Sequence, residues 1–178
     1  MTVEIETYLR GRDGVFTRIA EYDAPIRDPD YVEGAIRMSI DGQEIVGVAE
    51  WDDVNWLWPF LATMAADLAD SERVATSYPS QPIGLSFTRK GTFLEVAVDY
   101  VPTRVAWLDG LPRALPAGRV RRRGLAPALE FLTALQTAGW SYAAEMSRLG
   151  GVAFTGVDGD LRGLTGLLDQ DWLPNDRA

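Results

Sequence analysis

Between Glu50 and Trp58 the chain reads EWDDVNWLW, three carboxylates interleaved with three tryptophans. Carboxylates this close could divide acid, base and nucleophile roles, which makes a carboxylate-dependent hydrolase built on Glu50, Asp52 and Asp53 one reading. The same acids are what a helix start requires, because a carboxylate there accepts from orphan amides and meets the positive end of the helix dipole. Capping by Asp52 or Asp53 is the reading preferred here, with the hydrolase kept as an alternative. The chain has neither histidine nor cysteine. That removes Ser-His-Asp triads, Cys-His pairs, His-ligated metals and disulfides. No nucleotide-binding glycine loop of the GxxxxGK[ST] or GxGxxG type follows a strand.

Two further stretches invite chemistry. Asp158 to Asp169, DGDLRGLTGLLD, approaches a calcium loop, with acids at positions 1, 3 and 12 and Gly163 at position 6. Arg162 stands where an oxygen ligand is needed, and Asp169 is too short for the bidentate glutamate, so no metal and no cofactor is expected. Arg119, Arg121, Arg122 and Arg123 could grip phosphate or anionic lipid. In an acidic chain they read instead as a solvated loop pairing with the protein's own acids.

The tryptophans differ by position. Trp58 shares a helical stripe with Val54, Leu57, Leu61, Ala65 and Leu68, and is assigned to the core. Trp51 precedes the cap, where an apolar residue often staples onto the helix. Trp56 points about 160° away from Trp58 on one helix, so it faces either the sheet or the solvent. If exposed, it is hot-spot material ringed by acids.

The elements that must carry these residues follow from periodicity. Alternation in TVEIETYLR and the run VFTRIAEY predict a first hairpin; AIRMSI and EIVGV predict a second, turning at Asp41-Gly42. A helix is expected from about Asp52 to Asp70, kinked or restarted at Pro59. IGLSFTRKGTFLEVAVDYV predicts another strand pair and TRVAWL a further strand. Residues 111–124 read as exposed connection, 125–149 as a second helix, and 151–178 as a glycine-rich extension with a short helix near Leu161 to Leu168. The expectation is one domain over residues 1–178, of α+β class, with an antiparallel sheet of about five to seven strands packed against two main helices.

The net charge is −9. Ten acids fall between Glu21 and Asp53 against Arg27 and Arg37, which argues against nucleic acid and for a basic protein partner. Of the seventeen basic residues only Lys90 is lysine, a bias that reads as a GC-rich bacterial genome. The chain lacks a signal-peptide-like or membrane-spanning apolar run, so a cytoplasmic protein without a membrane partner is expected.

The features YVEGAIRMSIDGQEI, WDDVNWLW and YPSQPIGLSF together resemble a family of small actinobacterial proteins. In that family a G-x-I strand, a W-D-x-x-N-x-L-W helix start and a P-x-Q-P loop recur. The resemblance spans about residues 31 to 150, with Tyr78 and Ser80 departing from the family's Phe-Pro-Asp-Gln-Pro loop. It implies no catalytic residues. Size and acidity are similar in type to toxin-neutralising immunity proteins. The reading is a non-enzymatic acidic binding protein, of immunity type, that occludes a basic toxin through Asp28, Asp30, Glu33, Glu50, Trp51, Asp52, Asp53, Asn55 and Trp56. Self-association as a homo-oligomer or regulatory module is the other alternative.

Overall fold

A computed structural model of the chain describes residues 1–108, 111–116, 118–151 and 161–163, with the backbone alone over 103–116. Eleven strands and two main helices run in the order β1 (Val3–Arg10), β2 (Phe16–Arg18), β3 (Glu33–Ile40), β4 (Gln43–Val46), β5 (Asp52–Asp53), α1 (Val54–Asp67), β6 (Arg73–Ser77), β7 (Ile83–Lys90), β8 (Phe93–Tyr100), β9 (Thr103–Leu108), β10 (Leu111–Pro116), β11 (Val120–Pro127) and α2 (Ala128–Arg148). The class is α+β with antiparallel pairing throughout, as expected. The strands divide into a five-stranded sheet in the order β2-β1-β3-β4 with β5 on β3, a four-stranded sheet β11-β8-β7-β6, and the ribbon β9-β10.

Local chemistry explains most of these elements. The β3–β4 hairpin turns on Asp41 (φ 49°) and Gly42 (φ 76°), the left-handed pair that a tight two-residue turn needs. β3 lies between β1 and β4, and Ile36, Met38 and Ile40 are buried. Val54, Leu57, Trp58, Leu61, Ala65 and Leu68 are all buried, so the helical stripe is the inner face of α1. α1 runs unbroken through Pro59, inside the helix. Ile83, Leu85 and Phe87 of β7 and Leu94, Val96 and Val98 of β8 form the inner face of the second sheet. α2 lies over it, with Phe131 edge-on to Phe87 at 5.2 Å.

Several expectations are corrected. VFTRIAEY is a strand only to Arg18 and then a 3₁₀ turn at Ile19–Glu21. β6 was not anticipated, because RVATS is short and carries one large apolar residue. Residues 111–124 are not a connection: they contain β10 and most of β11, whose sequence conceals its alternation because both faces carry arginine. Arg121 and Arg123 are exposed, while Arg122 turns to the other side and reaches Glu50. α2 begins at Ala128, so Leu125 and Leu129 are exposed (45% and 48%), while Phe131, Leu132, Leu135, Tyr142 and Met146 are buried. Leu161–Gly163 are helical, with Leu161 packed beside Gly139 of α2. Residues 164–168 of the short helix and most of the calcium-like stretch lie outside the described residues. No helix among the described residues is long and apolar enough to cross a membrane.

Gly34 shows how tightly β3 is wedged. A Cβ there would stand 2.4 Å from the Tyr8 carbonyl oxygen and 2.8 Å from Val54 Cγ1. The carbonyl belongs to the paired strand β1 and cannot retreat without breaking the ladder. Gly34→Ala is therefore expected to lower the unfolding free energy by about 2 to 3 kcal/mol, read from the urea midpoint.

Candidate functional site

The site begins at the β5–α1 junction. Glu50, Asp52, Asp53 and Asn55 are each at most 1% exposed, so their polar atoms depend on partners inside, and Asp53 Oδ2 is buried without a hydrogen-bond partner. Asp53 is the N-cap, its Oδ1 accepting from the amides of Asn55 at 2.9 Å and Val32 at 3.2 Å. Asp52 accepts from the amides of Asp53 and Ser80, both at 2.8 Å. Asn55 donates through Nδ2 to the Pro29 carbonyl at 2.6 Å and accepts from the Tyr142 hydroxyl. Tyr142 stacks on Trp58 at 5.5 Å, and Trp58 Nε1 donates to Thr7 Oγ1 at 3.0 Å. Gln81 closes the other side, its Nε2 donating to the Trp51 carbonyl.

Glu50 is held separately. It accepts from the Gly47 amide at 2.8 Å and the Tyr100 hydroxyl at 2.6 Å. Arg122 NH2 lies 2.5 Å from its Oε2, a close charge contact. The Arg122 Nε and NH2 atoms nevertheless lack a partner in hydrogen-bond geometry, so the pair is Coulombic in character. Burial pushes the Asp53 carboxyl above its ordinary range, opposed by the amides of Val32 and Asn55. Burial also raises the Tyr78 and Tyr142 hydroxyls, with Glu50 and Asp52 adding to the effect on Tyr78 and Asp53 to that on Tyr142.

The stretches YVEGAIRMSIDGQEI, WDDVNWLW and YPSQPIGLSF meet here. Gly34 of the G-x-I strand pairs with Asp52, and Ser80 and Gln81 of the P-x-Q-P loop bond to Asp52 and Trp51. Each of these contacts joins one part of the chain to another.

The surface beside the junction has a different character. Trp56 is 43% exposed and lies 6.3 Å from Phe60, so it faces solvent and not the sheet. Trp51 is half-buried under the Arg10 guanidinium, 4.8 Å above its ring, and Arg10 also pairs with Glu33 at 3.1 Å. Asp28 and Asp30 are exposed in the loop, where Asp28 accepts from the Asp30 amide at 3.0 Å. The structure thus brings Glu33 and Trp51 together through Arg10, leaves Asp28, Asp30 and Trp56 at the surface, and commits Glu50, Asp52, Asp53 and Asn55 to the interior.

The acidic loop is held at several points. Arg148 donates to the carbonyls of Ile19 and Tyr22, the Ile26 amide bonds to the Leu149 carbonyl, and Asn55 holds Pro29. Between the loop and β1 runs an open groove of about 710 Å³, lined by Arg10, Glu21, Asp23, Asp28, Tyr31 and Glu33 among others. Tyr31, 41% exposed, was missed from sequence. Its signal was an aromatic between acids in a proline-bounded loop. Among the described residues no group of three or more acids is placed to hold a metal ion.

Two outcomes follow from the buried groups. Glu50→Gln leaves Arg122 beside a neutral amide and is expected to cost about 2 to 3 kcal/mol in urea unfolding, moderated by the 30% exposure of Arg122. Adding Arg122→Met should recover most of that loss. The Tyr100 hydroxyl is pushed up to about 12 by burial and by its bond to Glu50. The unfolded chain releases that proton near pH 10, so this contribution is complete below about pH 10 and lost as the pH rises to about 12. Urea midpoints across that window should fall for the native chain, and Tyr100→Phe should remove its share of the slope.

No protein-family model, no curated protein and no solved structure matches this chain.

Proposed function

We propose that this chain is a non-enzymatic acidic binding protein of immunity type, which neutralises a basic protein toxin by covering it. The observation that carries the reading is the 43% exposure of Trp56 in the first turn of a helix whose cap also anchors the acidic loop. An exposed tryptophan on a rigid element supplies contact area at small entropic cost, and carboxylates around it steer a cationic partner. Asp28, Asp30 and Tyr31 of the loop and Trp56 of α1 are the accessible residues of this reading, joined by the Asn55 bond to Pro29, while Glu33 and Trp51 are held by Arg10.

On this reading the W-D-x-x-N-x-L-W pattern is a structural signature, and kinship with the actinobacterial family concerns fold more than contact chemistry. The hydrolase alternative has weaker support, since Glu50, Asp52 and Asp53 are buried and already bonded. The reading assigns the protein to the cytoplasm, where the toxin would be met, and the chain has no disulfide that would call for an oxidising compartment.

The test is affinity capture from the source cell, identification of the captured protein, and titration of the purified pair. A basic toxin-like partner is expected, released by salt, and weakened about a hundredfold by Trp56→Ala combined with Asp28→Asn and Asp30→Asn. Undiminished affinity in that variant, or self-association as the sole interaction, would overturn the proposal.

A further inference from the structure

The outer face of the four-stranded sheet is a second surface with the opposite chemistry. Residues facing away from the core alternate along each strand and align across the register: Arg73, Thr88, Glu95 and the exposed Leu125 in one row, Ala75, Ser86, Ala97 and Arg123 in the next, and Ser77, Gly84, Asp99 and Arg121 in the third. The middle of this grid is low, because Ala75, Gly84, Ser86 and Ala97 are small. Around it stand the cations Arg73, Lys90, Arg121 and Arg123, with Glu95 and Asp99 among them. The result is a groove of about 500 Å³, lined by Arg73, Lys90, Arg121 and Arg123 together with the Ser86 and Thr88 hydroxyls.

The charges do not cancel. Asp99 is engaged by Arg119 in a two-point contact and by Arg121 at 3.2 Å, which holds its carboxyl below the usual range. Arg122 belongs to Glu50. Arg73, Lys90 and Arg123 then stand against Glu95 alone, and none of them has a carboxylate within ion-pair distance among the described residues. In a chain of net charge −9 this is a local reversal of sign, and it includes the single lysine.

We propose that this groove binds a small soluble ligand carrying two or more phosphate groups. Arginine forks and a lysine point charge are the side chains that recognise phosphate, and hydroxyls in the floor add neutral donors. Arg73 and Arg123 stand on the two outermost strands, three strand spacings apart and two residues out of register, about 16 Å at the backbone. A single phosphate reaches one rim, whereas a ligand with two separated phosphates reaches both. Phe93, half-exposed opposite Lys90, stands at the end of the face and is not part of the groove lining, whose walls carry no aromatic side chain on which the bases of single-stranded nucleic acid could stack.

The probe is inorganic tripolyphosphate, titrated by calorimetry and by amide shifts against orthophosphate at low salt. Tripolyphosphate should bind at least about tenfold more tightly than orthophosphate, with shifts centred on Ala75, Ser86 and Ala97. Arg73→Ala and Arg123→Ala should each weaken it about tenfold, the loss of one charged hydrogen-bonding group. Both positions are exposed, so melting temperatures should stay at the native value; Lys90→Ala replaces either variant that fails this check. Trp56→Ala should leave binding unchanged, which separates this site from the acidic face. Equal affinity for the two phosphates, insensitivity to these variants, or tighter binding of an oligonucleotide, an acidic peptide or anionic vesicles would each overturn the proposal.

Discussion

Three carboxylates within four residues are buried completely at Glu50, Asp52 and Asp53, and the rest of the structure is arranged around satisfying them. A buried charge without partners is intolerable in a low-dielectric interior, so donors must be brought from elsewhere in the chain. They come from Gly47, Ser80, Tyr100 and Val32, with the Arg122 charge beside Glu50, and these belong to five separate segments. Each carboxylate therefore acts as a tie between loops and strands that are distant in sequence. Asn55 extends the same logic to α2 through Tyr142 and to the acidic loop through Pro29.

This arrangement separates the molecule's charges. The acids that remain on the surface between Glu21 and Glu33 sit on a loop braced by Arg148, Leu149 and Asn55, beside exposed aromatics. The arginines of β11 split by strand alternation: Arg122 goes inward to Glu50 and Arg121 and Arg123 outward to the sheet face. One short basic run thus serves both a buried ion pair and an exposed cationic border. The acidic and basic surfaces are carried by different sheets, which lets their chemistry be varied independently.

Periodicity revealed the first two hairpin pairings, α1 and the β7–β8 pair because each has one clear apolar face. The Asp-Gly turn and the Asp cap were legible for a local reason, since neighbouring residues alone create the need for them. β6 and β11 were hidden because their stability comes from neighbours in the sheet and their own residues are small or charged. The start of α2 was misplaced because Leu125 and Leu129 continue an apolar-looking pattern whose exposure only the packed sheet reveals.

The sequence by itself determined the class, the apolar faces, the turns, an aspartate cap at Asp52 or Asp53 and the exclusion of histidine and cysteine chemistry. These depend on spacing and composition, which are properties of the chain before it folds. Only the tertiary structure decided that Asp52 and Asp53 are internal ties, that Trp56 faces solvent, and that Arg122 parts from its neighbours. Burial and partner choice depend on segments far apart in the chain, and the contacts between Asp52 and Ser80, or Asn55 and Tyr142, have no local signature.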